Sequence, residues 1–318
     1  MTSRPFTPRA LLRDVTLRDG LQLTSKSLPT DRKVQIIREL LALGVPALEI
    51  GSMARPDLVP PLADTLDVIA ALEADELADC WIWVATPRHI EKAAAAGARN
   101  FQYCFSASNS HNKANIGRST EDSVAAMPAA VRIAEEVGGA IQLCIATAFT
   151  CPFEGVTDPQ RVIGIAADPR TAGAADIVVC DTIGQAIPTQ VADLIVSLRD
   201  RTPRRRIAFH GHDTWGLGVA NTLAAITAGA TMVDGSLGGL GGCPFAPGAS
   251  GNTPTEDLLF ATRPDWFTPS TLASMADITD KLLAELGEPN RSRSAQGARS
   301  KSSAFEWVIG GGEQACDG

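Results

Sequence analysis

Short apolar runs alternate with longer amphipathic segments along most of the chain. The apolar runs have the length of buried strands, and the segments between them repeat their apolar residues with helical spacing. Seven helices are predicted near residues 30–43, 57–74, 88–96, 119–137, 157–172, 188–200 and 216–228. Eight strands are predicted over residues 11–17, 45–51, 80–85, 100–105, 140–146, 176–180, 206–210 and 231–236.

This alternation of eight strands with helices predicts an α/β fold, a (β/α)8 TIM barrel. Two open α/β sheets are the alternative. The first strand is not followed by the glycine-rich phosphate loop that would favour a dinucleotide-binding fold of this kind. We expect residues 1–267 to form the catalytic barrel. Residues 268–318 would add a C-terminal helix over 270–286 and a partly flexible tail rich in Ser, Arg and Gly.

Composition narrows the class of protein. The 318 residues are 45% hydrophobic and 20% charged, which supports a large core. A net charge of −8 without a long basic run argues against a nucleic-acid partner. No apolar run is long enough to span a bilayer, and the N-terminus lacks the apolar core of a secretory signal. Seven scattered cysteines without a CxxC pair favour free thiols and a cytoplasmic location.

Polar residues follow several predicted strands at their carboxyl ends, where barrel enzymes build their active sites. Two histidines, His210 and His212, end the seventh strand, and a glycine-rich loop follows the eighth. Because residues two apart on a strand share a face, both imidazoles are expected to aim at one point. The candidate residues are Arg18, Asp19, Glu49, Asp181, His210, His212, Cys243 and Asn252.

The two histidines and Asp19 form a candidate three-ligand metal site with open positions. Completion of the site by Asn252 or water would favour Mg²⁺ or Mn²⁺. Completion by the thiolate of Cys243 would instead favour zinc. The residue types alone leave both arrangements open.

Arg18 and Glu49 have a structural and a catalytic interpretation. Arg18 beside Asp19 could form an ordinary ion pair, or its guanidinium could stabilise a developing enolate oxygen. Glu49 lies near the end of an apolar strand, so its carboxylate needs a partner. Arg18 or a metal-bound water could supply that partner.

Residues 238–257 contain six glycines and three prolines around Cys243, which excludes a regular helix or strand before a helix start at Thr255. A mobile, lid-like loop that presents one thiol is typical of a catalytic segment. A surface loop with an incidental cysteine is the alternative.

Residues 17–22, residues 210–214 and the Cys243 loop together resemble the HMG-CoA lyase branch of the DRE-TIM metallolyases. The similarity spans most of residues 11–286. The resemblance implies a homodimer that cleaves an acyl-CoA substrate, 3-hydroxy-3-methylglutaryl-CoA, to acetyl-CoA and acetoacetate. It also implies a divalent metal, Mg²⁺ or Mn²⁺, held by Asp19, His210, His212 and Asn252. By the same resemblance, Arg18 stabilises the enolate, Cys243 transfers a proton, and Glu49 and Asp181 organise the site.

One departure from the family pattern concerns the substrate. Leu23 and Thr24 stand where the family usually has Asn and Glu, at the mouth of the expected pocket. A related 3-hydroxyacyl-CoA such as citramalyl-CoA is therefore an alternative substrate.

A condensing synthase or aldolase of the same superfamily is disfavoured because those relatives lack the Cys243 loop. A non-catalytic barrel is disfavoured because the whole set of candidate residues is present.

Overall fold

A closed barrel of eight parallel strands forms the centre of the molecule and confirms the predicted (β/α)8 fold. The computed structural model describes residues 10–242, 251–300 and 305–309. The strands are β1 (Leu11–Asp14), β2 (Ala47–Ser52), β3 (Cys80–Val84), β4 (Asn100–Ser106), β5 (Ala140–Ala146), β6 (Thr150–Cys151), β7 (Gly155–Val156), β8 (Asp176–Asp181), β9 (Arg206–Gly211) and β10 (Met232–Gly235). Around the barrel they follow the order β1-β10-β9-β8-β5-β4-β3-β2, and β6 and β7 form a separate hairpin.

Helices surround the barrel, and the main core lies between them and the outer face of the strands. On β9, Ile207 and Phe209 join that core, whereas Ala208 joins a smaller interior cluster, as the period of two predicts. Within the described residues, no helix has the length and apolar character needed to cross a membrane. The helices are α1 (Thr30–Ala42), α2 (Thr65–Ala70), α3 (Ala74–Leu77), α4 (Pro87–Ala96), α5 (Asn109–Ile116), α6 (Thr120–Glu136), α7 (Pro159–Ala167), α8 (Pro188–Arg201), α9 (Gly218–Ala228), α10 (Thr255–Thr262), α11 (Pro269–Leu286) and α12 (Arg293–Ala298).

Two predicted elements are wrong in extent. The first strand was expected to reach residue 17, but β1 ends at Asp14 and a wide helical turn spans Thr16–Gly20. The helix predicted over 57–74 is a short turn at Pro60–Leu62 followed by α2 and α3. Consecutive prolines explain the second difference, because they remove backbone donors that a continuous helix would need.

The C-terminal helices are tied to the barrel by Asp257 in the first turn of α10. Its carboxylate accepts hydrogen bonds from the Ser292 hydroxyl at 2.7 Å and from the backbone N–H groups of Arg293 and Ser294. These bonds hold the first turn of α12 against α10. The boundary between barrel and extension at residue 267 stays a prediction.

The neighbouring carboxylate, Glu256, is fully buried and joins two other segments. Both of its oxygens accept from the backbone N–H of Gly238, at 3.0 and 3.2 Å, and Oε1 also accepts from the Thr279 hydroxyl at 2.6 Å. Gly238 has a φ of +59°, and a Cβ there would lie 2.6 Å from Leu283. The turn that follows β10 is therefore shaped by α10 and α11.

Glu256 makes stability depend on pH. Burial raises its pKa from 4.5 to about 7, although the accepted hydrogen bonds oppose the shift. As pH rises, the Glu256 carboxyl group therefore loses its proton at a lower pH in the unfolded chain than in the folded protein. The free energy of unfolding consequently falls between pH values of about 4.5 and about 7. Removing the group by Glu256→Gln should reduce this loss of unfolding free energy by about 2 to 3 kcal/mol.

Urea unfolding at a series of pH values measures this difference. The matched control is Glu91→Gln, at an exposed position on α4, which should keep the wild-type pH dependence. An unchanged slope in Glu256→Gln would show that Glu256 does not titrate in this range.

Candidate active site and metal centre

The turn after β1 places Arg18 and Asp19 in the cleft at the carboxyl end of the barrel. Asp14 fixes the start of this turn, because its carboxylate accepts from the backbone N–H of Thr16 at 3.0 Å. The Thr16 hydroxyl in turn accepts from the backbone N–H of Leu237 at 2.8 Å. The turn is therefore held between β1 and the segment that follows β10.

Arg18 lies between two buried carboxylates. Its Nε donates to Glu49 on β2 at 2.5 Å, and its Nη1 donates to Asp19. Glu49 is fully buried, and Arg18 and Asp19 are almost so. Burial opposes ionisation of Asp19, but the Arg18 guanidinium outweighs it and holds the pKa of Asp19 well below its usual range. Asp19 is therefore ionised. Of the two partners considered for Glu49, Arg18 is the one that contacts it.

The two histidines aim at the same side of the barrel, as predicted. Their ring centroids lie 5.1 Å apart, and both side chains are buried. His212 Nε2 is 3.6 Å from Asp19 Oδ1. His210 Nδ1 is 3.0 Å from a carboxylate oxygen of Asp234 on the neighbouring strand β10.

The residues predicted to hold a metal ion converge. One ligand atom each from Asp19, His210 and His212 lies within 4.8 Å of the others. Asn252 donates to Asp19 at 2.9 Å and to the carbonyl of Leu240 at 3.0 Å, and its Oδ1 is buried without a hydrogen-bond partner among the described residues. A buried acceptor without a donor is costly, and a cation beside it would remove that cost. This donor set therefore fits a divalent cation.

The site opens into a cleft of about 650 Å³. Three thiols form part of its wall, those of Cys104 on β4, Cys144 on β5 and Cys180 on β8. The sulfurs of Cys144 and Cys180 are 3.4 Å apart. Leu23 and Lys113 lie towards solvent in the same cleft. The thiol-lined part of the wall is thus weakly polar, and the outer part of the cleft carries charge.

One predicted residue stands apart from this cluster. Asp181 is fully buried, and its carboxylate accepts from the backbone N–H groups of Gln185 and Ala186 at 3.0 Å each. It organises the turn after β8 and does not line the cleft. Cys243, with residues 244–250, lies outside the described residues.

Sequence reasoning missed the buried pair Arg13 and Asp234, as well as the three thiols. Asp234 interrupts an apolar strand with a carboxylate, which is the one signal that could have identified it. The predicted barrel also makes β10 the neighbour of β9, where His210 lies.

The model of the HMGL-like family matches residues 9–280 of the chain. The chain belongs to this family. An (R)-citramalyl-CoA lyase from Chloroflexus aurantiacus is 37% identical over 287 residues, which cover 87% of this chain and 90% of the relative.

Solved structures agree with the family assignment. The HMG-CoA lyase of Bacillus subtilis superposes with a TM-score of 0.85 at 32% identity, and the match covers 93% of this chain and 100% of that one. The HMG-CoA lyase of Acinetobacter baumannii, in complex with coenzyme A and 3-methylmalate, gives 0.84 at 32% identity, over 94% and 98% of the two chains. This chain is accordingly a carbon–carbon lyase.

The buried ion pair makes Glu49 important for stability. In Glu49→Gln the buried Arg18 guanidinium loses the carboxylate that accepts from its Nε and keeps only Asp19 as an ionised partner. We expect the free energy of unfolding to fall by about 3 kcal/mol, measured by urea unfolding.

Asp57→Asn is the matched control, because Asp57 forms an exposed ion pair with Arg55. That variant should unfold like the wild type. Equal effects of the two substitutions would contradict the importance of burial.

Metal binding should stabilise the fold, and Asn252 should contribute. At Mn²⁺ concentrations of about 100 times Kd, binding adds about 2.7 kcal/mol to the free energy of unfolding. We expect Asn252→Ala to reduce the rise in Tm that Mn²⁺ causes.

The control is Asn100→Ala, at the first residue of β4 and so at the opposite end of the barrel. Its Mn²⁺-dependent rise in Tm should equal that of the wild type. A full rise in Asn252→Ala would exclude its amide from the metal site.

Proposed function

We propose that the chain cleaves 3-hydroxy-3-methylglutaryl-CoA to acetyl-CoA and acetoacetate in a metal-dependent reaction. The observation that carries this proposal is the meeting of Arg18, Asp19, His210 and His212 in one cleft. Family membership supports the reaction class, and the similar protein in complex with coenzyme A supports an acyl-CoA substrate.

Asp19, His210, His212 and Asn252 are the proposed ligands of the cation. When bound there, a divalent cation would lower the pKa of the tertiary hydroxyl of the substrate. Carboxylate and amide oxygens in the donor set favour Mg²⁺ or Mn²⁺.

Arg18 is proposed to stabilise the enolate. After the hydroxyl loses its proton, its oxygen becomes a ketone as the carbon–carbon bond breaks, and the electron pair passes to the thioester as an enolate. Glu49 and Asp19 fix the Arg18 guanidinium through Nε and Nη1, so its remaining N–H groups are positioned before the reaction. A donor that needs no reorganisation stabilises a developing oxyanion effectively.

Cys243 is proposed to donate the proton that converts the enolate carbon into the methyl group of acetyl-CoA. The two ends of its loop meet at Gly241 and Gly251, where a Cβ on Gly251 would lie 2.4 Å from the Gly241 backbone. Asn252 lies at the same place and contacts Asp19. These contacts support a loop whose ends are held beside the metal ligands.

Citramalyl-CoA is the second candidate substrate. It lacks one methylene of the HMG group, so its carboxylate is attached directly to the hydroxyl-bearing carbon. Leu23 lines the cleft and is 46% exposed, which favours a less polar mouth than the family pattern has. The similarity to an (R)-citramalyl-CoA lyase also supports this candidate. A condensing synthase or aldolase is less favoured.

We further propose a homodimer that acts in the cytoplasm. With HMG-CoA as substrate, the reaction would serve leucine catabolism. These proposals rest on the family resemblance and on the free thiols among the described cysteines.

An assay with two substrates tests the proposed function. The purified chain should release acetoacetate from HMG-CoA with Mg²⁺ or Mn²⁺, and EDTA should abolish this turnover. Arg18→Lys should lower kcat by a factor of about 10² to 10³, because lysine cannot keep the two-carboxylate geometry. Arg38→Lys, on the exposed face of α1, is the matched control and should retain full activity.

Other outcomes discriminate between the candidates. Faster release of pyruvate from citramalyl-CoA would assign the second substrate. The proposed mechanism requires both the metal and the Cys243 thiol, so full acetoacetate release by Cys243→Ser would overturn the proton-donor role of Cys243. EDTA-resistant turnover would overturn the metal-dependent mechanism.

A further inference from the structure

The imidazole of His210 contacts a buried carboxylate. Its Nδ1 lies 3.0 Å from Asp234 Oδ2, and the two residues are register partners on β9 and β10. Asp234 is 2% exposed. The backbone pairing and the side-chain contact therefore fix the imidazole together.

Arg13 determines which hydrogen-bonding role Asp234 can take. Arg13 is fully buried and donates to both carboxylate oxygens, through Nε at 3.0 Å and Nη2 at 2.8 Å. Its Nη1 donates to Gln142 at 2.7 Å. A carboxylate paired in this way is ionised and only accepts hydrogen bonds. The hydrogen in the contact must therefore be on His210 Nδ1, which leaves Nε2 as the atom with a lone pair.

His212 has no comparable support. Its Nδ1 is buried and has no hydrogen-bond partner among the described residues. The two histidines of the cluster are thus inequivalent, and the orientation of only one is fixed by a carboxylate. Histidines that bind metals commonly donate their second N–H to a carboxylate, which orients the ring and increases its basicity.

We propose that Asp234 is the positioning residue of His210, holding it as the Nδ1–H tautomer with Nε2 directed to the metal, and that Arg13 holds Asp234 in turn. This inference rests on the proposed metal site. Asp234 is not among the residues that line the cleft, so we expect its effect on metal affinity rather than on the chemical step.

The test is Mn²⁺ affinity, measured from the electron paramagnetic resonance signal of free Mn²⁺. Asp234→Asn should raise the Kd by a factor of about 10 to 100. The matched control is Asp176→Asn. Asp176 is also buried in the barrel, pairs with Arg206 and accepts from Gln142, but it contacts no histidine. Its variant should keep the wild-type Kd, whatever stability it loses.

The outcomes separate this inference from the proposed function. A wild-type Kd in Asp234→Asn, or an equal loss in Asp176→Asn, would overturn the role of Asp234 and leave the metal site intact. Failure of the unmodified chain to bind Mn²⁺ would overturn both.

A second measurement uses the unmodified chain and does not depend on the folding of a variant. In the Mg²⁺-loaded protein with ¹⁵N-labelled histidine, a hydrogen-bonded Nδ1–H signal from His210 is expected. Metal ligation through His210 Nδ1 would overturn the proposal.

Discussion

The bonded set of Arg18, Glu49 and Asp19 is the constraint on which the rest of the site depends. Burying an isolated charge costs several kcal/mol, so these three side chains are tolerated only as a connected group. Arg18 and Asp19 come from the turn after β1 and Glu49 from β2, and Asn252 adds the segment after β10 through its bond to Asp19. The contacts that offset the cost of burial also hold the positive charge of Arg18 and the negative charge of Asp19 at fixed positions in the cleft.

A second buried ion pair lies in the barrel interior. Arg13 and Asp234 are inward-facing residues of adjacent strands and satisfy each other through two hydrogen bonds. The Arg13 guanidinium also lies 5.9 Å from the ring centroid of Trp81. Uncharged thiol and methyl side chains, including Cys144, form an interior cluster of low polarity. Low polarity strengthens each ionic contact, and it makes any unpaired charge in this region more costly. Charged side chains in this part of the barrel are therefore tolerated only when they are paired.

The sequence predicted the barrel and the clustering of polar residues well, because strand periodicity and strand ends carry both signals. It failed where one side chain redirects the backbone. Asp14 accepts from the Thr16 N–H and ends β1 three residues before the predicted end, and this local contact has no periodic signature. Asp234 was missed because its contact with His210 also has no periodic signature in the sequence. Its role depends on a neighbour 24 residues away, which becomes visible only when the register of β9 and β10 is known.

The short segment from Asn252 to Asp257 explains why the C-terminal helices belong to the function as well as to the fold. Asn252 contacts the proposed metal ligand Asp19, and Thr255 donates to Asp14 at the base of the Arg18 turn. Glu256 and Asp257 then bind α11 and the start of α12. Six consecutive residues thus connect the candidate metal centre, the first strand and the C-terminal extension. Because the bonds are buried and directional, displacement of α11 or α12 would strain the position of Asn252. A change far from the cleft can therefore shift Asn252, a proposed metal ligand, without contacting it.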